Sequence, residues 1–171
     1  MIIIIEDVEI RLPKTEKAIK NYFFSCKNRR KFVSDTKEHY KKRLKKAKHD
    51  LKCAIDEYKN KNWDWTIVKA YYAIHHAANT IFSKNKGLFS KDHSCLIIAL
   101  KYHKLIDEKL FNELTNIYEG FSDTISIGLT FELRKIGQYD VDRWEELTKD
   151  DAKKVLETAK KFISYVEENL K

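Results

Sequence analysis

Between Thr66 and Phe82 the apolar residues Ile67, Tyr71, Ile74, Ala78 and Ile81 recur at alternating spacings of four and three. That is the period of one face of an α-helix and not of a strand. A second row, Val68, Tyr72, His75 and Phe82, runs beside the first. Together they make an apolar arc wide enough to be packed on two sides, so this helix should be central. The rest of the chain has to supply the elements that cover it.

It supplies helices. Leu44, Ala47, Leu51, Ala54 and Tyr58 form one stripe within an element expected from about Asp35 to Tyr58. Leu110, Leu114, Ile117 and Phe121 form another, beginning near Asp107, and Val155, Ala159, Phe162, Val166 and Leu170 a last one. Thr148 in "TKDD" has the form of a capping box at the start of that last helix. A short helix is expected over "SCLIIALKYH", after a loop "SKNKGLFSKDH" in which Gly87 is a plausible helix stop. Pro13 suits the first turn of an N-terminal helix over "KTEKAIKNYFFSC". "SDTISIGLT" should break or bend the chain, and helical character returns in "FELRKIGQY". Four glycines and one proline in 171 residues leave few turns for a β fold. The expected fold is all-α: an antiparallel up-and-down bundle of four main helices, with an N-terminal helix and a short extra helix. Residues 1–34 read as an N-terminal extension, an arm and a short helix, and residues 35–171 as the bundle.

The cysteines, Cys26, Cys53 and Cys95, are odd in number and form no C-x-x-C pair. They read as small buried apolar residues of a reducing compartment, with neither a disulfide nor a metal to hold. "MIIII" is too short for a membrane span and lacks the basic flank of a signal peptide, so no membrane association and a cytoplasmic location are expected.

The net charge of +8 is concentrated in one place. Residues 27–52 hold twelve Lys/Arg against three Asp/Glu, whereas the remainder holds 22 against 23. Lys41, Lys42, Arg43, Lys45, Lys46 and Lys48 make the densest patch. It reads equally as a solvated helix face or as an attractor for phosphate-rich partners.

The chemistry-bearing residues are few. His75 and His76 in "AYYAIHHAA" point about 100° apart on a helix and cannot share one ion. Periodicity alone makes them hydrogen-bonded residues of a core or interface. There is no Glu-x-x-His set, Gly-rich phosphate loop or nucleophile elbow, and no metal or cofactor is expected. Arg134 remains, in "FELRKIGQYD". Its guanidinium could hold a phosphate by two hydrogen bonds, with Tyr139 five residues on as donor or stacking ring, or it could be salt-bridged to Glu132.

Four segments in order then resemble one family. "YYAIHHAA" at Tyr71–Ala78, "KDHS" at Lys91–Ser94, "LRKIGQYD" from Leu133 and "DAKKVLETAKKFISYV" resemble the HEPN domain, over the run from Lys41 to Leu170. The resemblance implies a bundle that forms a homodimer, with arginine motifs of both subunits lining a cleft. It implies either a metal-independent endoribonuclease or a toxin-like protein paired with a small nucleotidyltransferase. The nuclease motif is an arginine, four to six residues, then histidine. Here Arg134 matches the arginine, but Tyr139, Asp140 and Val141 occupy the positions where histidine would stand. Tyrosine, with a reference pKa of about 10, is a poor general base at neutral pH. The leading expectation is therefore a nucleotide- or RNA-binding protein of a toxin–antitoxin-like pair, with Arg134, Gln138, Tyr139, Tyr72 and Lys91 as contacts. The alternatives are an active endoribonuclease using Arg134 with His76 or His93 as base, and a non-catalytic helical interaction protein. In some paired members a tyrosine two residues beyond the motif histidine is modified with adenylate; that position is Val141 here.

Overall fold

The structure, a computed structural model, describes residues 11–125 and 143–171. Six helices and one 3-10 turn account for most of it: α1 (Glu16–Asn28), α2 (His39–Lys59), α3 (Trp63–Lys86), α4 (His93–Tyr102), α5 (Glu108–Ile125) and α6 (Lys149–Asn169). The all-α bundle expected from the stripes is what forms, and α3 is its centre. The largest interface lies between α3 and α2, the next between α3 and α6, and α4 and α5 also pack on α3. "FELRKIGQY" and most of "SDTISIGLT" lie outside the described residues.

Small side chains set how closely these helices approach. Ala70, Ala73, Ala77 and Ala78 of α3 meet a core that includes Ala47 and Ala54 of α2 and Ala152 and Ala159 of α6, all essentially excluded from solvent. Alanines at the contact let axes come to the short end of the usual 8–10 Å range. Phe82, Phe111, Phe162 and Tyr118 fill the space between. Truncating one of them, Phe82→Ala for example, should cost about 3–5 kcal/mol through lost transfer and an unfilled cavity.

The helix ends follow local chemistry. Gly87 closes α3 at φ +65°, a left-handed cap that spares the chain a Cβ penalty, and its N–H bonds Ser83 O at 2.9 Å. Thr148 caps α6 in a complete capping box with Asp151. α1 starts later than Pro13 suggests: Thr15 is its cap, accepting from Ala18 N at 3.2 Å, and Pro13 sits outside the helix. A side-chain cap at Thr15 supplies a hydrogen-bond acceptor that proline cannot.

Two features of the N-terminal segment bear on the site. β1 (Val33–Ser34) pairs antiparallel with β2 (Leu88–Phe89), tying the approach to α2 onto the α3–α4 connection. Cys26 of α1 is bonded to Cys95 of α4, across 69 residues. This corrects the sequence expectation that no disulfide forms: Phe23 stacks on Tyr102 of α4 at 4.0 Å between centroids, which sets α1 beside α4 and brings the sulfurs together. Cys53 stays free.

Candidate anion-binding site

α2 carries His39, Lys42, Arg43 and Lys46 at relative positions i, i+3, i+4 and i+7, one continuous face of a helix. That face looks across to His76 of α3, and the five side chains line a cavity of about 200 Å³. All five are cationic or able to become so. It is open to solvent, and its cationic lining suits an anion.

Two carboxylates stand behind these groups. Asp35, just after β1, accepts from Arg43 Nε at 2.8 Å and from Ser83 Oγ of α3 at 2.9 Å, and it lies 2.8 Å from His39 Nδ1. Burial alone would raise the Asp35 pKa, but these hydrogen bonds outweigh it and hold the carboxyl at about 2, against an ordinary 3.8. Arg43 is fixed on a second side by the ring of Phe89 in β2, 4.3 Å from its Cζ. Asp50 of α2, buried at the helix interface, receives Lys46 Nζ at 2.5 Å and lies 3.6 Å from His76 Nε2. His49 Nδ1 is 3.2 Å from the same carboxylate. Behind the lining, each carboxylate thus stands beside a histidine and a cation.

His76 is half-buried, and desolvation lowers its pKa against the opposing pull of Asp50; Lys46 and Arg43 lower it further. Its imidazole is accordingly neutral near pH 7. His75, next to it, is in a different environment. Its ring stacks on His93 of α4 at 3.9 Å, and Asn79 Nδ2 stands 3.3 Å from its Nε2. Asn79 is itself oriented by Ser90, whose N–H donates to Asn79 Oδ1 at 2.8 Å and whose carbonyl accepts from Nδ2 at 2.9 Å. Nε2 of His75 is therefore the acceptor, and burial pushes its pKa well below the usual range, with His93 and His76 adding to the shift.

The residues singled out from sequence divide accordingly. His76, Lys42, Arg43 and Lys46 come together at the cavity. His93 does not join them: its Nδ1 lies 3.2 Å from Tyr71 Oη, and Tyr72 meets it edge-on at 6.0 Å. Tyr72 is exposed at 39%, and Lys91 is exposed at the entry to α4. Lys41 pairs with Glu38 at 2.8 Å, Lys48 pairs with Glu167 of α6, and Lys45 is exposed. Arg134, Gln138 and Tyr139 lie outside the described residues. The sequence reading passed over His39, Asp35 and Asp50. The i, i+3, i+4, i+7 spacing of His39 with the basic residues was a signal that could have found the first. Nothing in the sequence links Asp35 or Asp50 to a residue of α3. No group of three or more potential metal ligands occurs among the described residues, and no helix among them is long and apolar enough to cross a membrane.

The family model of the HEPN domain matches residues 40–169. No curated protein matches the chain.

Proposed function

Because the chain belongs to the HEPN family, as the match over residues 40–169 shows, we propose that it binds RNA or a nucleotide and receives a phosphate in the α2–α3 cavity. The observation that carries this reading is the cavity itself: Lys42, Arg43 and Lys46 from one helix face and His76 from the next, around about 200 Å³. Arg43 is held ready by Asp35 and Phe89, so little side-chain entropy is lost when it takes a ligand oxygen. HEPN domains commonly dimerise, and in this reading the protein acts as a homodimer with a nucleotidyltransferase partner, as the toxin-like half of a pair. The partner rests on the sequence resemblance. A cytoplasmic site of action would require the Cys26–Cys95 bond to survive a reducing pool; both sulfurs belong to fully buried residues, which shields them from thiolate attack.

The test is anisotropy of a labelled single-stranded RNA over a salt series, with parent and a Lys42→Gln/Lys46→Gln double variant. Each lost phosphate contact should lower the log–log salt slope by about 0.7, so the double variant should lose roughly 1.4. A parent affinity that does not change with salt would remove the cavity from the function. For the pairing, a candidate nucleotidyltransferase co-expressed with this chain should co-elute with it.

A second reading is favoured by His76. A neutral, half-buried imidazole beside Asp50 and three cations has what a general base for attack by the RNA 2′-hydroxyl needs. The protein would then be a metal-independent endoribonuclease, with Arg134 as its motif arginine.

A further inference from the structure

Four large apolar side chains are exposed among the described residues, and two of them, Trp65 at 55% and Tyr72 at 39%, belong to α3. At 3.6 residues per turn, Tyr72 stands about 40° round the helix from His76, and Trp65 about 20°. The three side chains therefore leave the helix along one line. A rise of 1.5 Å per residue puts Tyr72 about 6 Å from His76 along the axis and Trp65 about 17 Å. Lys69 stands between the two rings, but it is paired with Glu57 of α2 at 2.6 Å and adds no net charge there. The line is thus cationic at the end beside the α2–α3 cavity and aromatic beyond it. A single exposed ring needs no explanation. Two in register with a cationic cavity make the combination that holds a single strand, with charge for the backbone and rings for the bases.

The fixed charges fit the interior of a strand. Lys42, Arg43 and Lys46 stand against Asp35 and Asp50, which leaves one positive charge among these groups. An internal phosphodiester carries one negative charge. The cavity is open to solvent, so a chain held there can continue past it. Reach separates a strand from a single nucleotide. A nucleotide with its phosphate beside His76 can lay its base on Tyr72, about one turn away. Trp65 lies about three turns away, and only a longer chain arrives there.

We infer that the α2–α3 cavity and the line through Tyr72 and Trp65 form one site for single-stranded RNA. An internal phosphodiester sits among Lys42, Arg43 and Lys46, and bases stack on Tyr72 and Trp65. This rests on the reading of the cavity as the phosphate site, and it makes the ligand a strand rather than a mononucleotide. Recognition is tolerant of sequence, because every base has a face to stack. A duplex, whose bases already stack on one another, offers the rings nothing.

The probes are a short oligothymidylate, which has no 2′-hydroxyl and so cannot be cleaved through one, the same strand as a duplex, and thymidine monophosphate. Binding to the full chain is read by anisotropy and by quenching of tryptophan fluorescence, over a salt series. Trp65→Ala and Tyr72→Ala should each weaken the single strand about tenfold. Their log–log salt slopes should equal the parent's, because a ring releases no counterions. Both rings are exposed, so the far-UV circular dichroism of these variants should match the parent's. Trp65→Phe and Tyr72→Phe keep a ring and should keep most of the affinity, while Trp65→Phe loses part of the quenching. The duplex and the mononucleotide should bind more weakly than the strand and be indifferent to Trp65→Ala. Salt-dependent binding of the strand that is the same in parent and alanine variants overturns the inference and leaves the phosphate reading standing. So does a mononucleotide bound as tightly as the strand, or equal loss in the phenylalanine and alanine variants. A Trp65→Ala protein that sediments as a smaller species yet binds the strand like the parent overturns it too, and gives that ring to an interface between copies. No salt-dependent binding of any probe overturns both readings.

Discussion

Asp35 and Arg43 are joined through Oδ2 and Nε at 2.8 Å, from opposite sides of the family match at residue 40. The carboxylate belongs to the N-terminal segment and the guanidinium to the first turns of α2, so the segment before the match holds a residue of the candidate site in place.

That pair makes the acid limb of stability specific. The folded pKa of Asp35, about 2, lies below its ordinary 3.8. Its contribution is fully present above the higher value and is lost as pH falls through the lower one. A shift of this size corresponds to about 2 kcal/mol. Urea denaturation of the parent should lose roughly that much between pH 4 and pH 2, whereas Asp35→Asn should be less stable at pH 7 and flatter on the acid side. A variant with the parent's acid limb unchanged would show that another carboxylate sets it.

His75 predicts a second slope, at milder pH. Its folded pKa is depressed by burial, so the unfolded chain binds the proton more readily. Stability should therefore fall as pH drops through about 6.5, the unfolded value. His75→Gln should reduce this slope while leaving the Asp35 limb in place. If the two proteins show parallel profiles between pH 7 and pH 5, the stacked histidines do not carry the linkage.

The disulfide predicts a thiol count. Under non-reducing denaturing conditions a thiol titration should find one free cysteine, Cys53. Cys26→Ser should lower stability by about 2–5 kcal/mol, since the bond closes a long loop in the unfolded chain. Three free thiols in the freshly purified protein would remove the bond from the account.

Cleavage separates the two functional readings. Metal-free RNA cleavage with EDTA present, in parent and Arg134→Ala, should be lost in the variant if the family's motif arginine works here. Activity lost in His76→Gln by a factor of ~10²–10⁴ would make His76 the base. Cleavage by neither parent nor variant would leave binding as the function of the cavity.

How far the sequence could be read depends on the range of the interaction. α3 was legible because Ile67, Tyr71, Ile74, Ala78 and Ile81 repeat with the helix itself, and the box at Thr148 because its partner Asp151 is three residues away. α1 starts at Glu16, three residues beyond Pro13, because Thr15 caps it, and only geometry decides between that start and a proline in the first turn. The cavity was half legible. Lys42, Arg43 and Lys46 stood out by charge and His76 by type, but that they face one another follows from how α2 packs on α3. Asp35, Asp50 and the Cys26–Cys95 pair were unreadable for the same reason: each works through a residue brought near by packing rather than by periodicity.

The bond between Cys26 and Cys95 also has a mechanical meaning. It closes a ring that contains all of α2 and α3, and with them every residue lining the cavity. A force applied to the two ends of the chain is carried across that ring by the sulfur bridge. The stretch between the cysteines, a sequence separation of 69, could not be drawn out, and at ~3.3–3.6 Å per residue that withholds about 230–250 Å of extension. Pulled by a protein-unfolding motor or an optical trap, the molecule should surrender α5 and α6 as extended chain and keep the two helices of the cavity enclosed until the bridge is reduced.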